Sequence, residues 1–186
     1  MSSYIPYGRQ DINQADIQQV IDVLQSDCLT QGPAINRFEK IVSDYCGVKY
    51  AVAVSSATAA LHIACLSLDL GEKDWLWTSP NTFVASANCG LYCGAHVDFV
   101  DINPHTYNLS TEELEQKLVK ASQHNCLPKV LIPVHFAGQS CEMDKIANLS
   151  KQYGFKVIED ASHAIGGKYQ DKPIGCCEFS DLAVFS

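Results

Sequence analysis

The sequence predicts an α/β fold, a parallel or mixed sheet with helices on both faces, and three observations carry that prediction. Short apolar, β-branched runs recur between longer segments whose apolar residues repeat every three to four positions. Glycines or small polar residues punctuate the change from one period to the other, and no low-complexity tract or linker interrupts the alternation over 186 residues. The periods discriminate because successive strand residues face opposite ways, whereas a helix gathers i, i+3, i+4 and i+7 on one stripe.

In chain order, Asn13 is a candidate N-cap for a first helix that carries Ile17, Val20, Ile21 and Leu24 as one buried stripe. Gly32-Pro33 closes that section. A second helix is predicted over 34–46, with Ile35, Phe38, Val42 and Tyr45 on one side and Gly47 as its stop. Residues 50–54 predict a strand, 55–58 a turn and 59–68 a helix. The unit recurs as strand 76–78, turn 79–81 and helix 82–93. Strand 97–100 follows, then helix 111–121 opened by a capping box of Ser110 and Glu113, strand 130–134, helix 142–153 ending at Gly154, and strand 156–159. Lys168 and Lys172 flank a hairpin turn and are expected in solvent. Residues 181–186 predict a strand without the covering helix that the pattern demands, so the domain is expected to be incomplete at its C-terminus. A terminal edge strand of a complete domain is the alternative. No internal domain boundary is predicted.

Thirteen Lys and Arg against twenty-one Asp and Glu give a net charge of −8, and no basic run appears. Nucleic acid is therefore excluded as an expected partner, leaving small molecules and other protein chains. No stretch approaches the roughly twenty apolar residues of a membrane span, and no signal-peptide pattern opens the chain, so no membrane is expected and the cytoplasm is the expected location. Nine cysteines without CxxC spacing support neither a disulfide framework nor a ribbon-type zinc site. Cys89 and Cys93 near His96, and the vicinal Cys176-Cys177, are expected to be buried reduced thiols, and no metal site is predicted.

Two segments carry candidate chemistry. Ser55-Ser56-Ala57-Thr58-Ala59-Ala60 joins a predicted strand to a helix, where free N–H groups and hydroxyls converge at the positive end of the helix dipole. Phosphate binding and simple capping by Ser56 or Thr58 are both open. Neither a GxGxxG nor a GxxxxGK[ST] sequence is present, which counts against Rossmann and P-loop readings. Val157-Ile158-Glu159-Asp160-Ala161-Ser162-His163-Ala164 sets two carboxylates at the end of an apolar strand, followed by an imidazole. A buried carboxylate needs a cation or strong donors, and a protonated pyridine nitrogen is such a partner. Alternatively Asp160 caps the next segment and His163 is a core histidine. His135 and Phe136 end a strand at the same edge, where a ligand contact and simple packing stand level. Trp75 and Trp77 are expected to pack.

Five segments taken together resemble the DegT/StrS family of sugar aminotransferases, in that family's order. They are Ser56 to His62, Pro80 to Ser86, Phe99-Val100-Asp101-Ile102, Pro133 to Gly138 and Glu159 to Ala164. Residues 5–11, 29–33 and 77–83 resemble most the members that serve pseudaminic acid synthesis. The resemblance implies the large domain of a fold-type-I transferase dependent on pyridoxal 5′-phosphate. It implies Ala57, Thr58 and Ser186 at the cofactor phosphate, Phe83 stacked on the pyridine ring, Asp160 on the ring nitrogen and His163 close to the ring. For substrate it implies Tyr7, Asp27, Cys28, Leu29, Thr30 and Ala57. The implied reaction passes an amino group from L-glutamate to C4 of a UDP-linked 4-keto-6-deoxy-N-acetyl sugar, in a homodimer. The family's catalytic lysine is expected five residues after Ser186, outside this sequence. Histidine at that position would imply a dehydratase of the same family, and a non-catalytic binding member is the third alternative.

Overall fold

The computed structural model describes residues 9–186; the segment around Tyr7 lies outside them. Five parallel strands form the main sheet, in the order β2-β1-β3-β4-β7. They are β1 (Trp75–Thr78), β2 (His96–Phe99), β3 (Val130–Ile132), β4 (Lys156–Asp160) and β7 (Leu182–Val184). Because all run the same way, their carboxyl ends share one edge, where the loops after β1, β3, β4 and β7 gather.

Strict alternation along the strands sorts the core into two layers. On one face Trp77, Leu131 and Val157 pack against α5 (Thr111–Ser122) and α6 (Met143–Tyr153), through Leu114, Leu118, Ile146 and Leu149. On the other, Leu76, Val130, Ile132, Ile158 and Val184 pack against α3 (Ala57–Ser67) and α4 (Ala85–Tyr92), through Leu61, Cys65, Ala85 and Cys89. Glu159 therefore belongs with Val157 on the α5/α6 face, and Asp160 with Ile158 on the α3/α4 face. Gly90 lets α4 lie directly on the sheet, since a Cβ there would meet Val97 at 3.0 Å and Leu76 at 3.1 Å.

The predicted elements form, with instructive departures. Residues 50–54 are not a strand: among the described residues they have no pairing partner, Val52 is 78 % exposed, and the Ala53 N–H donates to Glu39 instead. A β-branched run without a neighbouring strand has nowhere to place its backbone hydrogen bonds except side chains and water. The expected buried stripe of α1 (Gln14–Leu24) is also corrected, because α1 buries no residue and leaves Val20 and Leu24 exposed. α2 (Pro33–Cys46) likewise leaves Ile35, Phe38 and Tyr45 exposed and anchors only its C-terminal end, where Cys46 lies against Ile174. The helix expected over 82–93 begins at Ala85. At α5, Ser110 accepts from the Glu113 N–H, but its hydroxyl donates to Glu112, so only one arm of the expected capping box forms. The complete box belongs to Asn13 and Asp16 on α1.

Lys168 and Lys172 do flank a hairpin, β5 (Lys168–Tyr169) with β6 (Lys172–Pro173), whose two turn residues Gln170 and Asp171 both take positive φ. Lys172 reaches solvent and pairs with Glu178. Of the cysteines, Cys89 is buried while Cys93, Cys176 and Cys177 are half-buried and Cys28 is exposed; all are free thiols. Burial pushes Cys141 up to about 12 and Cys177 up to about 11, which leaves both thiols inert as nucleophiles near neutral pH. Trp77 is buried under Lys117, whose ammonium lies 4.7 Å from its ring centroid, and Trp75 lies against His96.

Two measurements follow from this packing. Leu131 is fully buried at the centre of β3, so Leu131→Ala is expected to lower unfolding free energy in urea titrations by about 2–5 kcal/mol. Tyr169 donates to Asp144 at 2.6 Å and holds that carboxyl below its ordinary value. A depressed carboxylate contributes stability above its unfolded pKa of about 3.9 and loses it as pH falls through the folded value. The urea midpoint of the wild type should accordingly exceed that of Tyr169→Phe at neutral pH, and the gap should narrow below about pH 4.

Candidate active site

The end of β4 places its two carboxylates in separate environments. Glu159 accepts from His135 Nε2 at 2.8 Å and from the Ser180 hydroxyl. The Cys141 backbone N–H donates to His135 Nδ1 at 3.2 Å, so that nitrogen carries no proton and Nε2 is the donor toward Glu159. His135 is 1 % exposed. It is thus a structural partner for Glu159, which favours packing over a ligand contact for that histidine, and each Glu159 oxygen accepts one donor.

Asp160 is also buried, but it is held only by hydroxyls and one amide. Its Oδ1 accepts from the Ser162 hydroxyl at 2.6 Å and from the Ser162 N–H at 3.3 Å, and its Oδ2 accepts from the Ser86 hydroxyl at 2.6 Å. The Ser86 oxygen lies 2.8 Å from Thr82 Oγ1. A carboxylate oxygen has room for two donors, so Oδ1 is filled and Oδ2 keeps one acceptor position. No cation meets this carboxylate among the described residues. Part of the capping alternative is realised, through Ser162, yet Oδ2 is turned away from it toward α4.

The remaining predicted residues divide into two groups. The first shares the Asp160 face or edge. α3 opens at Ala57, where Ser56 caps by accepting from the Ala59 N–H, while the N–H groups of Ala57 and Thr58 and the Thr58 hydroxyl meet no acceptor among the described residues. Ala57 and Ala60 pack against the same cluster as Ile158 and Val184. Phe83 lies two residues before the start of α4 and is 73 % exposed, so it is not a core phenylalanine. Asp160 pairs in register with Val184, which places Ser186 two residues further along the neighbouring strand, exposed. His163 is exposed on the turn after β4, with its carbonyl close to Gly138, where φ is +86° and an added Cβ would stand 2.8 Å from that oxygen. The second group, Asp27, Cys28, Leu29 and Thr30, is an exposed connection between α1 and α2 that makes no hydrogen bond to the strand edge among the described residues. A hollow of about 160 Å³ under Trp75 and Trp77 is lined by none of these residues.

The set of donors at the start of α3, an exposed flat aromatic and a carboxylate with one open acceptor position on a single sheet face fits a phosphorylated pyridine: phosphate at the helix start, ring beside the aromatic, ring nitrogen at the acid. Comparison with known proteins agrees with this chemistry. The family model for DegT/DnrJ/EryC1/StrS aminotransferases matches residues 10–186. The chain belongs to the DegT/DnrJ/EryC1/StrS aminotransferase family.

Within that family, the chain is 42 % identical over 182 residues to a UDP-4-amino-4,6-dideoxy-N-acetyl-beta-L-altrosamine transaminase of Campylobacter jejuni, covering 98 % of this chain and 46 % of that protein. The solved structure of Helicobacter pylori PseC, an aminotransferase involved in pseudaminic acid biosynthesis, superposes with a TM-score of 0.86 at 32 % identity, over 97 % of this chain and 47 % of its own. A sugar aminotransferase of Streptococcus pneumoniae, solved in PLP and PMP forms, gives a TM-score of 0.85 at 29 % identity, over 98 % of this chain and 48 % of its own. The chain spans about half the length of these DegT/StrS relatives. The fold is that of the PLP-dependent aminotransferases, a sheet of parallel strands flanked by helices.

Ser86 and Ser162 were not among the sequence candidates, nor was the His135–Glu159 pair as such. The Thr82/Ser86 spacing of one helical turn was visible, but nothing local tied it to an acid on another strand. The pair at Glu159 also gives a test. Removing one partner of a buried hydrogen-bonded pair leaves the other uncompensated, so Glu159→Ala is expected to lower unfolding free energy by about 3 kcal/mol in urea melts. Pyridoxamine phosphate affinity, measured on the folded variant, should stay within about twofold of the wild type, well short of the tenfold that 1.4 kcal/mol represents.

Proposed function

We propose that this chain supplies the cofactor-binding face of an aminotransferase that uses pyridoxal 5′-phosphate to move an amino group from L-glutamate to C4 of a UDP-linked 4-keto-6-deoxy-N-acetylhexose, as in the pseudaminic acid pathway. The single observation that carries the reading is Asp160: a buried carboxylate with no cationic partner among the described residues and one acceptor position open, on the sheet face that also bears α3 and α4. When bound, the cofactor supplies a ring that takes up the electron pair left on carbon as a proton is removed. The chain's residues do the rest. Ala57 and Thr58 donate to the phosphate from the positive end of α3, and the Ser186 hydroxyl adds a donor from the end of β7. Phe83 covers one face of the ring and excludes water from it, Asp160 holds a proton on the ring nitrogen, and His163 stands at the ring's margin. Asp27, Cys28, Leu29 and Thr30, with Ala57 and Tyr7, contact the nucleotide sugar. The substrate assignment is supported by the 42 % identity to the altrosamine transaminase.

A homodimer is the assembly we propose. The exposed apolar side chains of α1 and α2, among them Val20, Leu24, Phe38 and Ile41, offer surface for a second chain. The enzyme would work in the cytoplasm; no helix among the described residues is long and apolar enough to cross a membrane.

Amination of a panel of UDP- and TDP-linked 4-keto sugars with glutamate, followed by mass spectrometry of the products, tests the substrate. Conversion of the UDP-linked N-acetyl sugar is expected; conversion of TDP sugars alone would overturn the assignment. For the cofactor, Asp160→Ala is expected to weaken pyridoxamine 5′-phosphate binding roughly 10- to 100-fold by calorimetry, the range of one charge-assisted hydrogen bond.

A further inference from the structure

We propose that Ser86 is a positioning residue for this site: its hydroxyl, steered by Thr82, turns the Asp160 carboxylate so that the open acceptor position of Oδ2 meets the ring N–H of the bound cofactor. The inference rests on the cofactor reading above and adds to it the device that aims the acid.

Ser86 and Thr82 each have one hydroxyl proton, and an ionised carboxylate can only accept. The 2.6 Å contact of Ser86 with Asp160 Oδ2 therefore takes the Ser86 proton, and the 2.8 Å contact between the two hydroxyls must be Thr82 donating to Ser86. The chain of bonds has one direction, Thr82 to Ser86 to Asp160. Each donation polarises the next, which strengthens the bond that ends on the acid.

Geometry gives that bond its purpose. A carboxylate rotates over a broad well about its last torsion, so burial alone does not fix where its lone pairs point. Ser162 clamps Oδ1 through two donors from the turn after β4. The two oxygens turn together about that torsion, so the bond to Oδ2 from Ser86, fully buried on α4, is a second restraint on the same plane, applied from another element. With one lone pair committed to Ser86, the second has a defined direction. Phe83 lies three residues before Ser86, and the Ser86 N–H donates to its carbonyl at 3.2 Å. One helix start thus sets both the aromatic that would cover the ring and the acid that would hold its nitrogen. A shift of α4 would misplace the two together.

The test compares pyridoxamine 5′-phosphate with its 1-deaza analogue, which has C–H in place of the ring nitrogen, by calorimetric titration of the protein. The amine forms avoid covalent attachment, so the readout is affinity alone. In the wild type the nitrogen-containing ligand should bind more tightly. Ser86→Ala should cut that preference about tenfold, the effect of one lost charge-assisted hydrogen bond, while affinity for the deaza analogue stays unchanged. Thr82→Val, which keeps the Ser86 bond and removes its support, should cut the preference by about two- to threefold, and it serves if Ser86→Ala does not fold. Equal weakening of both ligands in these variants would make Ser86 a packing residue and overturn the proposal. Asp160→Ala separates the two levels. If it leaves the preference intact, the cofactor reading itself fails; if it abolishes the preference while Ser86→Ala does not, only the role of Ser86 falls.

Discussion

Two neighbouring carboxylates buried at the end of one strand set the terms for the rest of this structure. Glu159 and Asp160 follow one another, so strand alternation sends them to opposite faces of the sheet, and each must be satisfied where water is scarce. Glu159 finds a neutral histidine and a serine. Asp160 finds two serines and keeps a vacancy. The difference lies in the donors, an imidazole with a hydroxyl on one side and hydroxyls with one amide on the other. The His135–Glu159 hydrogen bond ties the chain after β3 to β4, whereas Asp160 is held by small donors and, in our proposal, offers its open Oδ2 position to a ligand that brings its own N–H.

The flanking layers gain meaning from this division. On the Glu159 side lies the densely packed cluster of α5 and α6, with His135, Cys141 and Met143 closing around the acid. On the Asp160 side lie α3, whose first turn holds backbone donors without an acceptor among the described residues, and α4, preceded by the exposed Phe83. Both faces of the sheet carry a buried core, and the face of Asp160 is the one on which we propose recognition; the parallel direction of the five strands brings their carboxyl ends to one edge.

Much of this was legible in the sequence. The two periods located the helices and the five paired strands, because burial on both faces demands continuous apolar runs. The hairpin turn between Lys168 and Lys172 was legible, and so was the acid at 160 from its place at the end of Val157-Ile158. What was not legible depends on partners distant in the chain. Ser86 acquires its role from an acid 74 residues away, and His135 from one 24 residues away, and no local pattern encodes either separation. Residues 50–54 have strand composition, but composition cannot supply a neighbouring strand. The stripes of α1 and α2 were visible as stripes, yet periodicity shows only that a face is apolar and not what covers it.

The most direct test of the account is a crystal structure of the protein with pyridoxamine 5′-phosphate. The expected result has the ring nitrogen within about 3 Å of Asp160 Oδ2, the usual span of such a hydrogen bond. The phosphate should rest against the Ala57 and Thr58 amides, with the Ser86 bond retained. A ligand bound elsewhere, or at this edge with Asp160 turned from its ring nitrogen, would contradict the central claim.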